Sequence, residues 1–194
     1  GYESNVGVPH ILWIAMGLQE TDGHPGVYNR YQQTVFEENQ FDREISAQIG
    51  KEYIVARLAE MKANPAYCRY FFTTKVKLQW MEPLFEGLYA TNTFDEEKEV
   101  PGWINSLYYG KFHDVVWKLS NYYQSIIYLS FLAFVLLSFY TKDKMLRDCV
   151  IWIPLITIIG GFFFSMIWES QCRYVLPYYV YMIIYAAIGL GKIS

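Results

Sequence analysis

The sequence predicts an all-α, polytopic membrane protein, with a helical extracytoplasmic segment over residues 1–118 and three transmembrane helices over 119–194. Three observations carry this expectation. Residues 1–121 hold 11 Lys/Arg and 16 Asp/Glu, whereas 149–194 hold only Glu169, Arg173 and Lys192. Long apolar runs crowd the charge-poor end. Tyr122, Tyr123, Tyr140, Trp168, Tyr174 and Tyr178 flank those runs, where amphipathic rings sit at the membrane interface.

The extracytoplasmic segment starts with "VPHILWIAMGL", residues 8–18. It is apolar but too short to cross, so an interfacial or re-entrant helix is expected, with Trp13 near headgroup depth. "QETDGHPGVYNRY" follows, dense in turn-forming Gly, Pro, Asp and Asn. Glu20, Asp22 and His24 alternate as metal ligands can, but in such a segment the spacing points first to a hydrogen-bonded turn. No metal or cofactor is expected. His10, at the mouth of the apolar helix, divides between a structural role and a substrate contact.

Residues 42–63 place Ile45, Ile49, Tyr53 or Ile54, Leu58 and Met61 on one helical stripe, with Asp42 as the N-cap. Asn64-Pro65 ends that helix and opens the next, 65–81, which Pro83 stops. Together they form a helical hairpin. "NTFDEEKEVPG" at 92–102 is a solvated turn or loop.

The expected spans are 119–141, 149–168 and 174–191, each long enough to cross roughly 30 Å of hydrocarbon. The loop "TKDKMLRD" carries Lys142, Lys144 and Arg147, and the opposite loop carries Arg173 alone. Positive residues favour the cytoplasm, so 141–148 is expected inside and residues 1–118 outside. A formal net charge of −3 argues against a nucleic-acid partner. Cys68, Cys149 and Cys172 form no Cys-x-x-Cys pair, so neither a zinc site nor a disulfide scaffold is expected. No phosphate-cradling glycine loop, Ser-His-Asp order or paired catalytic carboxylate is found. The chain begins at Gly1 without a signal peptide, and is expected to be the C-terminal piece of a longer protein.

"WESQCRYVLPYY", residues 168–179, sets Glu169 and Arg173 four residues apart between two apolar runs. Such charges beside a membrane are costly unless wet, paired or useful. A snorkelling pair that ends two helices is one explanation. A ligand-binding pair is the other.

"PHILWIAMGL" followed by "GVYN" (9–18, 26–29) resembles a segment of Gram-positive bacterial membrane glycosyltransferases. These are similar to dolichyl-phosphate-mannose–protein mannosyltransferases and draw sugars from polyprenyl-phosphate carriers. "WESQCRYVLPYY" resembles the late outer loop of that class, where an acidic residue, Arg-Tyr and Pro recur. The resemblance implies sugar transfer from an undecaprenyl-phosphate-linked donor to a cell-envelope glycan or protein acceptor at the outer face of the cell membrane. It implies that Arg173 contacts the carrier phosphate, that Glu169 holds Arg173 or touches the acceptor sugar, and that Tyr174 meets sugar or isoprenoid. Lys75 or Lys77 is a second candidate cation, and His10 a candidate substrate contact. The family's catalytic carboxylate lies in a first outer loop that this sequence lacks, so no catalytic base is assigned. A lipid-linked sugar transporter or flippase, and a non-catalytic membrane scaffold, are the alternatives.

Overall fold

The computed structural model describes residues 7–88, 101–140 and 149–193. It forms two compact units, Gly1–Gln79 with Phe162–Gln171, and Trp80–Gly161 with Cys172–Ser194. The long elements are all helices, as expected.

In the first unit, α1 is His10–Gly17. It is too short to cross a membrane, and protein covers its apolar face: Leu12, Ala15 and Met16 are fully buried. Trp13 stacks on Trp168, with ring centroids 5.9 Å apart. The turn-rich segment folds as a small hairpin of β1 (Glu20–Thr21) and β2 (His24–Pro25), pairing Glu20 with Pro25 and Thr21 with His24. Its two turn residues, Asp22 (φ 51°) and Gly23 (φ 76°), both take the left-handed conformation that matches the twist of a tight hairpin. The next helix, α2 (Tyr31–Glu38), follows Arg30 at φ 65°, and the Asn29 Oδ1 accepts from the Tyr31 N–H at 3.0 Å.

Helix α3 (Arg43–Ala63) begins as expected. The Asp42 carboxylate accepts from the Glu44 and Ile45 N–H groups, both at 2.9 Å, satisfying donors the first turn leaves open. The Asn64 Oδ1 takes the Tyr67 N–H at 3.1 Å and starts α4 (Pro65–Trp80). The buried stripe of α3 differs from the expected one. Of the expected positions Met61 is buried and Ile49 and Ile54 pack against the cores, but Ile45 and Leu58 are about half exposed, and Ser46 and Gly50 are buried in their place. Gly50 explains the rotation: a Cβ there would stand 3.0 Å from Leu12 Cδ2 and 3.2 Å from Ile11 Cγ2. Close approach of α1 requires small residues on the facing line, and this outweighs the hydrophobicity of the adjacent line. Leu18, Met61 and Phe71 close a second core, with Ile14, Ile54 and Tyr67 against it.

In the second unit, α5 (Gly102–Tyr109) precedes α6 (Lys111–Tyr140). The remaining helices are α7 (Cys149–Ile167) and, after a 3₁₀ turn at Cys172–Val175, α8 (Leu176–Ile193). Helices α6 and α8 pack along their length. Gly189 admits the α6 backbone, since a Cβ there would lie 2.8 Å from Ser130 O. Tyr185 packs on Phe134 at 4.8 Å, and Tyr179 meets Tyr128 edge-on at 6.0 Å. The ring of Tyr178 lies on Gly161, where a Cβ would stand 2.1 Å from its Cζ.

Among the described residues, two segments are long and apolar enough to cross a membrane, Lys111–Tyr140 and Cys172–Gly191. Leu129 and Phe139 are each 67% exposed on α6, the outward apolar surface that hydrocarbon would cover. The expected third span differs: its apolar helix is Trp152–Ile167. It lies within α7, whose 19 residues span about 28 Å at 1.5 Å per residue, close to the roughly 30 Å of hydrocarbon. The acidic segment 92–102 and the basic loop 141–148 lie outside the described residues, apart from residues 101–102.

Candidate functional site

In the first unit a knot of backbone forms around Lys75. Its side chain has no exposed surface, and the amine donates to the Gly17 carbonyl and, at 2.7 Å, to that of Trp168. Burial pushes this amine down to about 7. Gly26 completes the knot at φ 70°, where a Cβ would stand 2.6 Å from the Lys75 Nζ and 2.8 Å from both Gly17 O and Ser170 Oγ. Ser170 is held twice, its N–H donating to Gly26 O at 2.7 Å and its hydroxyl to Pro25 O at 2.6 Å. Glu169 is buried beside it. Its carbonyl accepts from Gln79 Nε2 at 3.0 Å and its Oε1 from Gln171 Nε2 at 2.9 Å. The segment 168–170 is thereby fixed to the hairpin and to α4 by hydrogen bonds, not by apolar packing alone.

Of the candidate substrate- and phosphate-contacting residues, this unit holds four. Lys75 is engaged by carbonyls inside the fold, whereas Lys77 is exposed. His10 is exposed at the first position of α1, and Glu169 is buried.

The same unit carries a polar pocket of about 430 Å³ lined by Gln19, Glu20, Gly23, Tyr53, Arg57 and Tyr67. Tyr67 Oη donates to Glu20 Oε2 at 2.5 Å and takes a hydrogen bond from Arg57. Arg57 also donates to Leu18 O at 3.0 Å and pairs with Glu60 at 2.5 Å. Its guanidinium lies 5.0 Å from the Tyr67 ring centroid and 5.4 Å from that of Phe71. Burial, and then the bond to Glu20, hold the Tyr67 phenol above its ordinary range. Among the described residues, no group of three or more His, Cys, Asp and Glu is placed to hold a metal ion. His24 turns its Nδ1 to Asp22 O at 2.8 Å, and Glu20 faces Tyr67.

In the second unit, Arg173 opens the 3₁₀ turn that leads into α8. Its side chain is 53% exposed, with Nη1 3.9 Å from Glu86 Oε2 and the guanidinium 5.6 Å over the Tyr174 ring. An ion pair this long and this wet is worth little, on the order of 0–1 kcal/mol. Tyr174 is exposed beside it.

Glu82 organises the partner turn. Its oxygens accept from the Leu84 N–H at 3.1 Å and the Glu86 N–H at 3.0 Å, and Cys172 Sγ donates to Oε2 at 3.6 Å. Phe85 and Glu86 both sit at positive φ, 51° and 59°, a conformation that costs non-glycine residues of order 1–3 kcal/mol each. The Phe85 ring packs on Tyr179 at 5.0 Å, which anchors the turn and holds Glu86 toward Arg173. Glu82, Glu86 and the pocket residues Arg57 and Tyr67 were not marked by the sequence, and Glu20 only for its alternation with Asp22 and His24. "MEPLFEG" presents only as a helix stop, and the pocket is assembled by folding from three separate segments.

The chain matches no protein-family model, no curated protein and no solved structure.

Proposed function

We propose that this chain is the C-terminal part of an integral membrane glycosyltransferase that moves a sugar from a polyprenyl-phosphate carrier to a cell-envelope glycan or protein. The supporting observation is the setting of Arg173. A half-exposed guanidinium stands at the start of an apolar segment long enough to cross a membrane, over a tyrosine face. With that segment across a membrane, Arg173 would stand at the depth of a lipid-borne phosphate, whose oxygens the planar fork of Arg suits.

In the proposed reaction a carboxylate takes the proton of the acceptor hydroxyl, whose oxygen attacks the anomeric carbon. The bond from that carbon to the carrier phosphate breaks, and the phosphate leaves as an anion. Arg173 gains interaction as this charge develops, which is the condition for lowering a barrier. Tyr174 contacts sugar or isoprenoid. The basic loop 141–148 is cytoplasmic in this scheme, and residues 1–118 are extracytoplasmic in a multi-pass protein.

The test is a reconstitution of the full-length protein in proteoliposomes with an undecaprenyl-phosphate-linked radiolabelled hexose and a cell-envelope acceptor fraction. Label moving to the acceptor supports the transferase. Lipid crossing the bilayer without transfer supports a flippase, and neither event leaves a membrane scaffold.

A further inference from the structure

We infer that the pocket of the first unit binds a neutral saccharide. At about 430 Å³ it falls within the roughly 300–1,000 Å³ of small-molecule sites. Tyr53 contributes a flat ring with a polar tip, the kind of surface that the C–H face of a sugar covers, while Tyr67 is held by Arg57 over its ring and by Glu20 at its hydroxyl. Gln19, Glu20 and Arg57 contribute planar groups with paired donors or acceptors, which match neighbouring hydroxyls.

The groups are fixed before any ligand arrives. Tyr67 is held between Glu20 and Arg57, Arg57 is tied to Leu18 O, and Gln19 Oε1 accepts from Asn29 Nδ2 at 2.6 Å. Such fixing lowers the ordering cost of binding. Charge selects the class of ligand. The two charged lining residues, Glu20 and Arg57, cancel and both bond Tyr67, so no net charge is left to attract an anion, which favours uncharged polyols. A network that served only to clamp the hairpin onto α3 and α4 would have no need of an open cavity at its centre.

The experiment is saturation-transfer NMR on the full-length protein in nanodiscs, with methyl glycosides of glucose, galactose, mannose and N-acetylglucosamine, and glucuronate and inorganic phosphate as anionic controls. At least one neutral glycoside is expected to bind in the millimolar range. Glu20→Gln should weaken it about tenfold, the loss of one charge-assisted hydrogen bond. Tyr53→Phe, which keeps the ring and the fold, should weaken it less. Arg173→Ala should leave it unchanged, so loss of transfer in that variant with binding retained separates the two sites. Glycoside binding by a protein without transfer would support the pocket inference and overturn the transferase reading alone. No glycoside binding by the folded protein, equal binding in all variants, or preference for the anions would overturn the inference.

Discussion

Replacement of Lys75 by Met probes the knot on which the first unit depends. The native amine has no exposed surface, donates to two backbone carbonyls, and has its proton affinity lowered by burial from the usual 10.5 to about 7. Between about pH 7 and 10.5 the unfolded chain holds this proton and the folded chain does not. Stability therefore rises with pH through that window, with a limiting slope of about 1.4 kcal/mol per pH unit for one proton. Integrated from pH 7 to pH 9, the single group accounts for about 2 kcal/mol. Met abolishes this dependence and orphans two carbonyls, at about 1–3 kcal/mol each. At pH 6 the two effects oppose, because the native protein then holds a buried charge that Met removes. The difference between native and Lys75→Met proteins should accordingly be small at pH 6 and grow by roughly 2 kcal/mol between pH 7 and 9. Thermal unfolding in one detergent across that range measures it, since other titrating groups cancel in the difference. A difference independent of pH would refute the buried, uncharged amine.

Gly26→Ala should destabilise the first unit by roughly 2–4 kcal/mol, because φ is 70° and the new Cβ would stand 2.6–2.8 Å from Lys75 Nζ, Gly17 O and Ser170 Oγ. A melting temperature within 1–2 °C of native, on the order of 0.5 kcal/mol or less, would contradict that crowding. For topology, Cys172 is buried and unsuited to labelling, so exposed positions are required. Lys77→Cys and Tyr174→Cys should both react with a membrane-impermeant maleimide in intact cells. Labelling only after lysis would invert the orientation.

Part of this fold is visible in the sequence because its signals are local. Asp42 and Asn64-Pro65 fix the junctions of α3 and α4 within a residue of their expected places, since each satisfies helix-end donors on the spot. Helix α2 begins differently, on Asn29 and a left-handed Arg30, and such a start has no strong sequence signature. The α3 stripe rotated because Gly50 opens a path for α1, a tertiary preference that hydrophobic periodicity does not contain. Lys75 resembles any surface lysine until the carbonyls of Gly17 and Trp168 converge on it. At the candidate site, Arg173 and Tyr174 were legible because charge in an apolar context is conspicuous. The Glu86 turn was not, because two consecutive non-glycine residues at positive φ follow no composition rule. Nor was the pocket, whose Glu20 and Tyr67 meet across 47 residues of chain.

The most direct test of the proposed function is the transfer rate of full-length Arg173→Lys and Arg173→Ala in membranes, normalised to folded protein. If Arg173 binds the departing phosphate, Lys loses the parallel N–H pair and Ala loses the charge as well. Loss of that charge-assisted contact should raise the barrier by about 2–4 kcal/mol, roughly 30- to 1,000-fold in rate, with Ala the more impaired. Near-native turnover in both variants would make Arg173 a structural partner of Glu86 and Tyr174 and would contradict the phosphate role.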